Sequence, residues 1–353
     1  MTTTHLITAL EESTGKTAVS LAIAKIARER GETVGYMKPK GTRLESRVGK
    51  TLDRDPLLAA EVLDLEDEIA DLEPVVYSPT FIRQAIRGRE DPAALRERVR
   101  EAHETLATDR DRMFIEGGGR YDLGGIVDLT DPVVAAELDA QAVLVAPYER
   151  PGDVDAVLAA KAAFGDRLDG VLFNGVAPSE RADLEDDVAP FLERRDLPVV
   201  GIVPHDRELA GVTVADLASE IGGDLVVSEG ADTFVERFTV GAMRADSALS
   251  SLRRRRNTAL ITGGDRTDIQ RAALEASSVQ CLILSGGHHP PGHIVARATE
   301  AGLPIVVVQT DTLTTVERAE AVVSSGRTRD AWTVERVETL LRDHAALDAI
   351  LGV

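Results

Sequence analysis

Lysine is scarce in this 353-residue chain. It occurs only at positions 16, 25, 38, 40, 50 and 161, so six of 40 basic residues leave 34 arginines. With a formal charge of −20, the surface reads either as adapted to a high-salt cytoplasm, where screening moderates self-repulsion, or as the acidity of a protein from a GC-rich genome. The same charge argues against nucleic acid, whose phosphates it would repel. Cysteine is represented by Cys281 alone, which excludes an internal disulfide and a multi-cysteine metal site. No apolar run approaches the ~18 residues of a membrane span, and the first residues lack a charged-then-apolar leader pattern. A cytoplasmic protein without nucleic-acid or membrane partners is expected.

Against that scarcity Lys16 and Lys38 stand out, because a flexible point charge is harder to replace at a phosphate site than on a solvated face. Ser13, Thr14, Gly15, Lys16 and Thr17 lie between the apolar run His5-Leu6-Ile7-Thr8 and a helix-periodic segment. That is the pattern of a phosphate-binding loop at a strand-to-helix turn. Helix N-terminal amides face the anion, glycine admits close approach, Lys16 neutralises charge and the Thr17 hydroxyl reaches Mg²⁺.

Short β-branched runs then alternate with helical patterns: 33–37, 113–115, 142–146, 170–173 and 199–203 are near-continuous apolar strands. Such strands separated by helices predict an α/β fold, a parallel sheet with helices on both faces, with ligands beyond the strands' carboxyl ends. Lys38-Pro39, Glu116-Gly117-Gly118-Gly119 and Asn174-Gly175 fall there. Asp55 opens a further segment, as a functional carboxylate or an ordinary helix start. After Pro204 the alternation restarts in smaller units at 225–227, 258–261, 281–284 and 305–308. Two domains are therefore expected, residues 1–204 and 205–353, the second a smaller α/β unit. Its tail from about 327 reads as a helix with Val334, Val337, Leu340 and Leu341 inward, packing on that second domain.

In order, Gly15-Lys16-Thr17, Tyr36-Met37-Lys38-Pro39, Asp55-Pro56-Leu57, Glu116-Gly117-Gly118-Gly119 and Asn174 resemble the dethiobiotin synthetase pattern over residues 1–204. The resemblance implies a P-loop domain binding ATP and Mg²⁺. Ser13, Thr14, Gly15, Lys16, Thr17, Lys38, Gly117 and Gly118 would lie on phosphates, Thr17, Asp55 and Glu116 around the metal, and Asn174 on the base. Ala9 stands where that family's loop begins with glycine, and it cannot easily take φ > 0. Glu11 and Glu12 add negative charge beside the anion site. A weaker or reoriented nucleotide is the expected consequence.

Residues 206–325 carry a second resemblance, to the DRTGG domain, through Gly241-Ala242-Met243, Thr262-Gly263-Gly264-Asp265-Arg266-Thr267, Ser285-Gly286-Gly287 and Asp311-Thr312-Leu313-Thr314-Thr315. The two domains in this order look like the N-terminal regulatory half of long phosphotransacetylases. Because the acetyl-transferring domain is not in this sequence, acetyltransferase activity is not expected. A second small-molecule effector is expected at Gly263, Gly264, Asp265, Arg266, Gly286, Gly287 and Thr312. Asp265 and Arg266 form either a ligand-binding pair or a structural ion pair. His288, His289 and His293 suit an exposed loop better than a metal, and Arg253–Arg256 a solvated helix end. Homodimerisation follows from the DRTGG resemblance. The function expected is a Mg-ATP-binding regulatory or metabolite-sensing protein; the alternative is an ATP-dependent ligase acting on a carboxylate or carbamate.

Overall fold

Thr3–Ala9 (β1) is apolar enough to be buried along all but its first residue, and it becomes the centre of a six-stranded sheet. The other strands are β2 (Val34–Met37), β3 (Arg112–Glu116), β4 (Gln141–Ala146), β5 (Leu168–Val176) and β6 (Val199–Pro204). They lie in the order β6-β5-β4-β1-β3-β2, and every pairing is parallel. The computed structural model describes residues 2–42, 44–47, 50–241, 257–325 and 330–352. Ala242, Met243 and the run Arg253–Arg256 lie outside the described residues.

The helices that connect these strands bury one face each. In α1 (Lys16–Glu29), Val19, Ile23 and Ile26 are fully buried, and the helix gives way to Gly31 at φ 92°. In α2 (Pro92–Leu106), Leu95, Val99, Ala102 and Leu106 form the inward stripe, with proline in the first turn as its fixed φ favours. A third helix, α3 (Asp131–Glu137), precedes β4. Connections run to opposite sides of β1, so the strand order reverses there, the point at which ligands bind in open sheets of this kind.

Two compact units divide the chain: residues 1–205 together with 328–353, and residues 206–327. The second unit holds β7 (Asp224–Val227), β8 (Arg237–Val240), β9 (Thr258–Gly263), β10 (Val279–Ser285) and β11 (Ile305–Val307), ordered β7-β11-β10-β9-β8. Within this five-stranded sheet the pairings are parallel except that β7 runs antiparallel to β11. Cys281 is buried in this core. Among the described residues no helix is long and apolar enough to cross a membrane.

The expected placement of the tail is corrected. Helix α4 (Ala331–His344) and α5 (Leu347–Leu351) belong to the first unit. The apolar stripe Val334, Val337, Leu340 and Leu341 is buried as the spacing predicts, but against α1 and the β6 edge. Lys25 meets Glu338 at 3.1 Å, Arg30 meets Asp348 at 2.9 Å, and the Ala346 N–H donates to the Val200 carbonyl at 2.7 Å. Amphipathic spacing says which helix face is buried, not which sheet buries it. The 206–327 unit is thus an insertion between β6 and α4.

This arrangement makes the tail part of the first unit's core. With Val334, Val337, Leu340, Leu341, Ile350 and Leu351 buried, at ~1.5–3 kcal/mol each as an upper estimate, its removal competes with a whole domain's stability. Deleting residues 328–353 is expected to abolish, or lower sharply, the unfolding midpoint of the nucleotide-type unit followed by circular dichroism in molar salt. An unchanged midpoint would contradict the placement.

Candidate functional site

The loop after β1 needs two left-handed residues, and these are Ser13 (φ 60°) and Gly15 (φ 84°). Ala9 is not among them. It stays in β1 opposite Val145, and the Leu10 N–H continues the ladder to the Val145 carbonyl at 3.2 Å. Ala9 therefore needs no positive φ, because the left-handed residues of the loop come later, at Ser13 and Gly15. Glu11 and Glu12 are exposed. Gly15 is also the N-cap of α1, whose first turn has no side-chain cap, so its amides are available to an anion.

Asn174 holds this loop. Its side-chain Nδ2 donates to the Thr14 carbonyl at 2.8 Å, and a Cβ on Gly15 would come within 2.7 Å of it. The structure thus brings Asn174 against the loop through its Nδ2.

Glu116, at the end of β3 and fully buried, is the hub. Its Oε1 accepts from the Thr17 hydroxyl at 2.8 Å and its Oε2 from the Tyr36 hydroxyl at 2.7 Å. The same Oε1 lies 3.5 Å from Lys38 Nζ and 4.0 Å from Lys16 Nζ. Lys16 Nζ donates to the carbonyls of Gly117 (2.7 Å) and Gly118. Burial lowers the Lys16 ammonium below the ordinary lysine range, against the pull of Glu116. Burial raises the Glu116 carboxyl, against the pull of Lys38.

Lys38 is paired more closely with carboxylates than the phosphate expectation implied. Its Nζ touches Asp55 and lies 2.9 Å from Asp53. Although burial works the other way, the carboxylates of Glu116, Asp55 and Asp53 hold it above the ordinary lysine range. Asp55 follows the residue that caps its helix, Arg54–Leu63, since the Asp53 side chain accepts the Asp55 N–H at 2.9 Å. The Asp55 carboxylate therefore faces Lys38 and is not itself the cap.

The residues expected around a metal are partly assembled. Thr17 and Glu116 touch, and Asp55 reaches Glu116 across Lys38. These donors, with Asp53, are all oxygens, the chemistry that suits Mg²⁺. Among the described residues no three histidine, cysteine or carboxylate side chains already have metal-holding geometry.

Four buried charged residues were missed by the sequence reading. Lys40 Nζ pairs with Asp131 Oδ1 at 2.8 Å and donates to the Leu129 carbonyl at 2.5 Å. Asp131 also accepts from the Thr8 hydroxyl at 2.7 Å and the Gly118 N–H at 3.1 Å. A Cβ on Gly117 would sit 2.0 Å from Asp131, so this glycine is needed for the carboxylate behind it. Asp53 and Glu73 complete the set: Glu73 Oε2 accepts the Asp53 N–H at 2.9 Å, and its Oε1 has no hydrogen-bond partner. Burial raises the Glu73 carboxyl to about 7, with the Asp53 N–H opposing. Lysine scarcity could have pointed to Lys40; no short-range pattern marks the others. A cavity of about 470 Å³ adjoins the loop, lined by Glu12, Tyr77, Arg120, Asp122, Gly124 and Ile126.

In the second unit the expected residues also converge at strand ends. Gly264 N–H donates to the Ser285 carbonyl (3.0 Å), Gly286 to Thr310 (2.9 Å) and Gly287 to Val308 (2.9 Å). The Ser285 and Thr312 hydroxyls meet at 2.7 Å. Those glycine amides are occupied by backbone, so a ligand here would meet side chains. Arg266 pairs with Asp268 at 3.1 Å through two nitrogens, and the Asp265 carboxylate lies over Gly263. His288, His289 and His293 are all exposed; the first two lie in a loop as expected, whereas His293 belongs to the helix Gly292–Ala301.

Residues 3–213 match the AAA domain family and residues 216–322 the DRTGG domain. The chain is 23% identical to the phosphate acetyltransferase of Haemophilus influenzae over 99% of its own length, and spans about half (52%) of that protein. It is 28% identical to the ATP-dependent dethiobiotin synthetase of Nitrosospira multiformis, over 58% of this chain and 88% of that one. Among solved structures it is similar to the CBS and DRTGG domains of the regulatory region of Clostridium perfringens pyrophosphatase, complexed with its activator diadenosine tetraphosphate. That likeness has 19% identity and a TM-score of 0.28, covering 44% of this chain and 80% of the other.

Two outcomes follow from the buried charges. Because the folded-state pKa of Glu73 is raised from 4.5 to about 7, its contribution is fully present below pH 4.5 and is lost as pH rises through 7. Glu73→Gln should gain on the parent by about 3 kcal/mol between pH 4.5 and 8, read by denaturant unfolding at each pH; a constant difference would contradict the assignment. Asp131→Asn or Lys40→Met alone should each destabilise by about 3–5 kcal/mol by leaving a buried charge without its partner. The double variant should lose much less than the sum, and additive losses would refute the pairing.

Proposed function

Because the chain belongs to the AAA domain family, matching it over residues 3–213, we propose that it is a Mg-ATP-binding regulatory or metabolite-sensing protein related to the N-terminal part of phosphotransacetylases. The observation that carries this reading is the junction of β1 and α1. There an uncapped helix start, a Gly15 turn and the buried Lys16 ammonium converge on the Thr17–Glu116 pair. Ser13 through Thr17 would cradle the phosphates, and Lys38 would join them. Thr17, Asp55 and Glu116 would hold Mg²⁺, which offsets phosphate charge when bound. Asn174, which holds the loop through Nδ2, would also meet the base.

The inserted unit would take a second small ligand at Gly263, Gly264, Asp265, Arg266, Gly286, Gly287 and Thr312. Its occupancy would change nucleotide affinity, and the reverse effect would be of equal size. The reading places the protein in a salty cytoplasm, as a homodimer, and assigns no acetyl transfer to either domain.

The cavity beside the loop favours a second reading, an ATP-dependent ligase. A substrate carboxylate oxygen would attack the γ-phosphorus and ADP would leave, with Lys16 and Lys38 neutralising the transferred charge.

Calorimetry with Mg-ATP in molar salt tests the first reading. Binding with negligible phosphate release is expected, weakened at least tenfold by Lys16→Ala. No heat at millimolar Mg-ATP would refute it. Phosphate release that depends on an added carboxylate metabolite would favour the ligase.

A further inference from the structure

One carboxylate oxygen serves three partners at the centre of the site. Glu116 Oε1 accepts from Thr17 at 2.8 Å and lies 3.5 Å from Lys38 and 4.0 Å from Lys16. Lys38 also touches Asp55 and stands 2.9 Å from Asp53, with all four side chains at most 1% exposed. Two of those carboxylates, Asp55 and Glu116, belong to the oxygen set that suits Mg²⁺. An ammonium held among them and a metal drawing on the same oxygens compete for one place.

The competition is uneven. Lys38 is tethered, so it occupies the carboxylates without the entropy loss that a free ion incurs on binding. Moving it away with no new partner would leave a buried ammonium unpaired, a change that costs several kcal/mol. A bare divalent ion supplies no such partner, whereas the triphosphate tail supplies anionic oxygens beside the loop of residues 13–17. The link is short: Thr17 and Lys16 belong to that loop and share Glu116 Oε1 with Lys38.

We propose that Lys38 is a gate. It occupies the place among Asp53, Asp55 and Glu116 that a metal would need, and it transfers from them to phosphate when Mg-nucleotide enters. Metal and triphosphate binding are then mutually dependent, each raising the other's affinity by the same factor. The role in phosphate capture rests on the nucleotide-binding reading; the exclusion of bare metal does not. It also gives the lysine a reason to be a lysine in an arginine-rich chain, since a single ammonium can exchange between a carboxylate cage and a phosphate on a flexible stem.

Mn²⁺ tests this directly, because the free ion is counted by its paramagnetic resonance signal whether or not any reaction occurs. The full-length protein is compared with Lys38→Gln, and with Lys38→Met/Asp53→Asn, which keeps the net charge of the cage and leaves Asp55 and Glu116 in place. Without nucleotide, each folded variant should bind Mn²⁺ at least tenfold more tightly than the parent. With a non-hydrolysable ATP analogue, the parent should bind nucleotide and metal together, and Lys38→Gln should bind the analogue about tenfold more weakly. If neither variant gains metal affinity, the gate is wrong, even should ATP bind. If the parent fails to bind the analogue while the variants do gain metal affinity, the exclusion of metal stands and the nucleotide reading falls.

Discussion

Three lysines and five carboxylates lie buried at the carboxyl end of one parallel sheet, and the rest of the first unit is arranged so that they remain satisfied. Lys16, Lys38 and Lys40 face Asp53, Asp55, Glu73, Glu116 and Asp131. Taking each ion out of water costs several kcal/mol, and well-packed apolar residues would usually serve stability as well or better. A network of this size is therefore more readily explained by chemistry than by folding. Its dependence on geometry explains the glycines. Gly117 makes room for Asp131, and Gly41 lies against Glu73, where any Cβ would collide. These positions are glycine because a buried carboxylate stands behind them.

Much of this was legible in the sequence and some was not, for definable reasons. The phosphate loop could be read because strand, turn and helix are contiguous, and contiguous patterns carry their own geometry. The parallel sheet could be read because strands covered on both faces are apolar throughout. Lys40 and Asp131 are 91 residues apart, and Asp131 begins a helix, so local chemistry explained it away. Asp53 was hidden in the same manner by the helix it caps. Ala9 occupies a family loop position, but its backbone stays in the strand and the left-handed residues are Ser13 and Gly15.

The tail shows the limit of pattern most plainly. Its helix was expected, and its inward face correctly drawn, yet it returns past the whole inserted unit to pack on α1. In sequence the inserted unit lies between the two parts of the first unit, residues 1–205 and 328–353. Helix α4 packs on α1, the helix whose first turn carries Lys16 and Thr17. In the second unit the glycine turns serve strand ends and neighbouring loops, which leaves hydroxyls and charged side chains to define any ligand.

The account turns on what the Lys38 ammonium does when a triphosphate is present. A crystal structure grown with Mg²⁺ and a non-hydrolysable ATP analogue in molar salt examines that atom directly. The account requires the phosphates on residues 13–17, a metal among Thr17, Asp55 and Glu116, and Lys38 turned from the carboxylates to a phosphate oxygen. A triphosphate bound elsewhere, or Lys38 still held by Asp53, Asp55 and Glu116 beside an occupied loop, would contradict it.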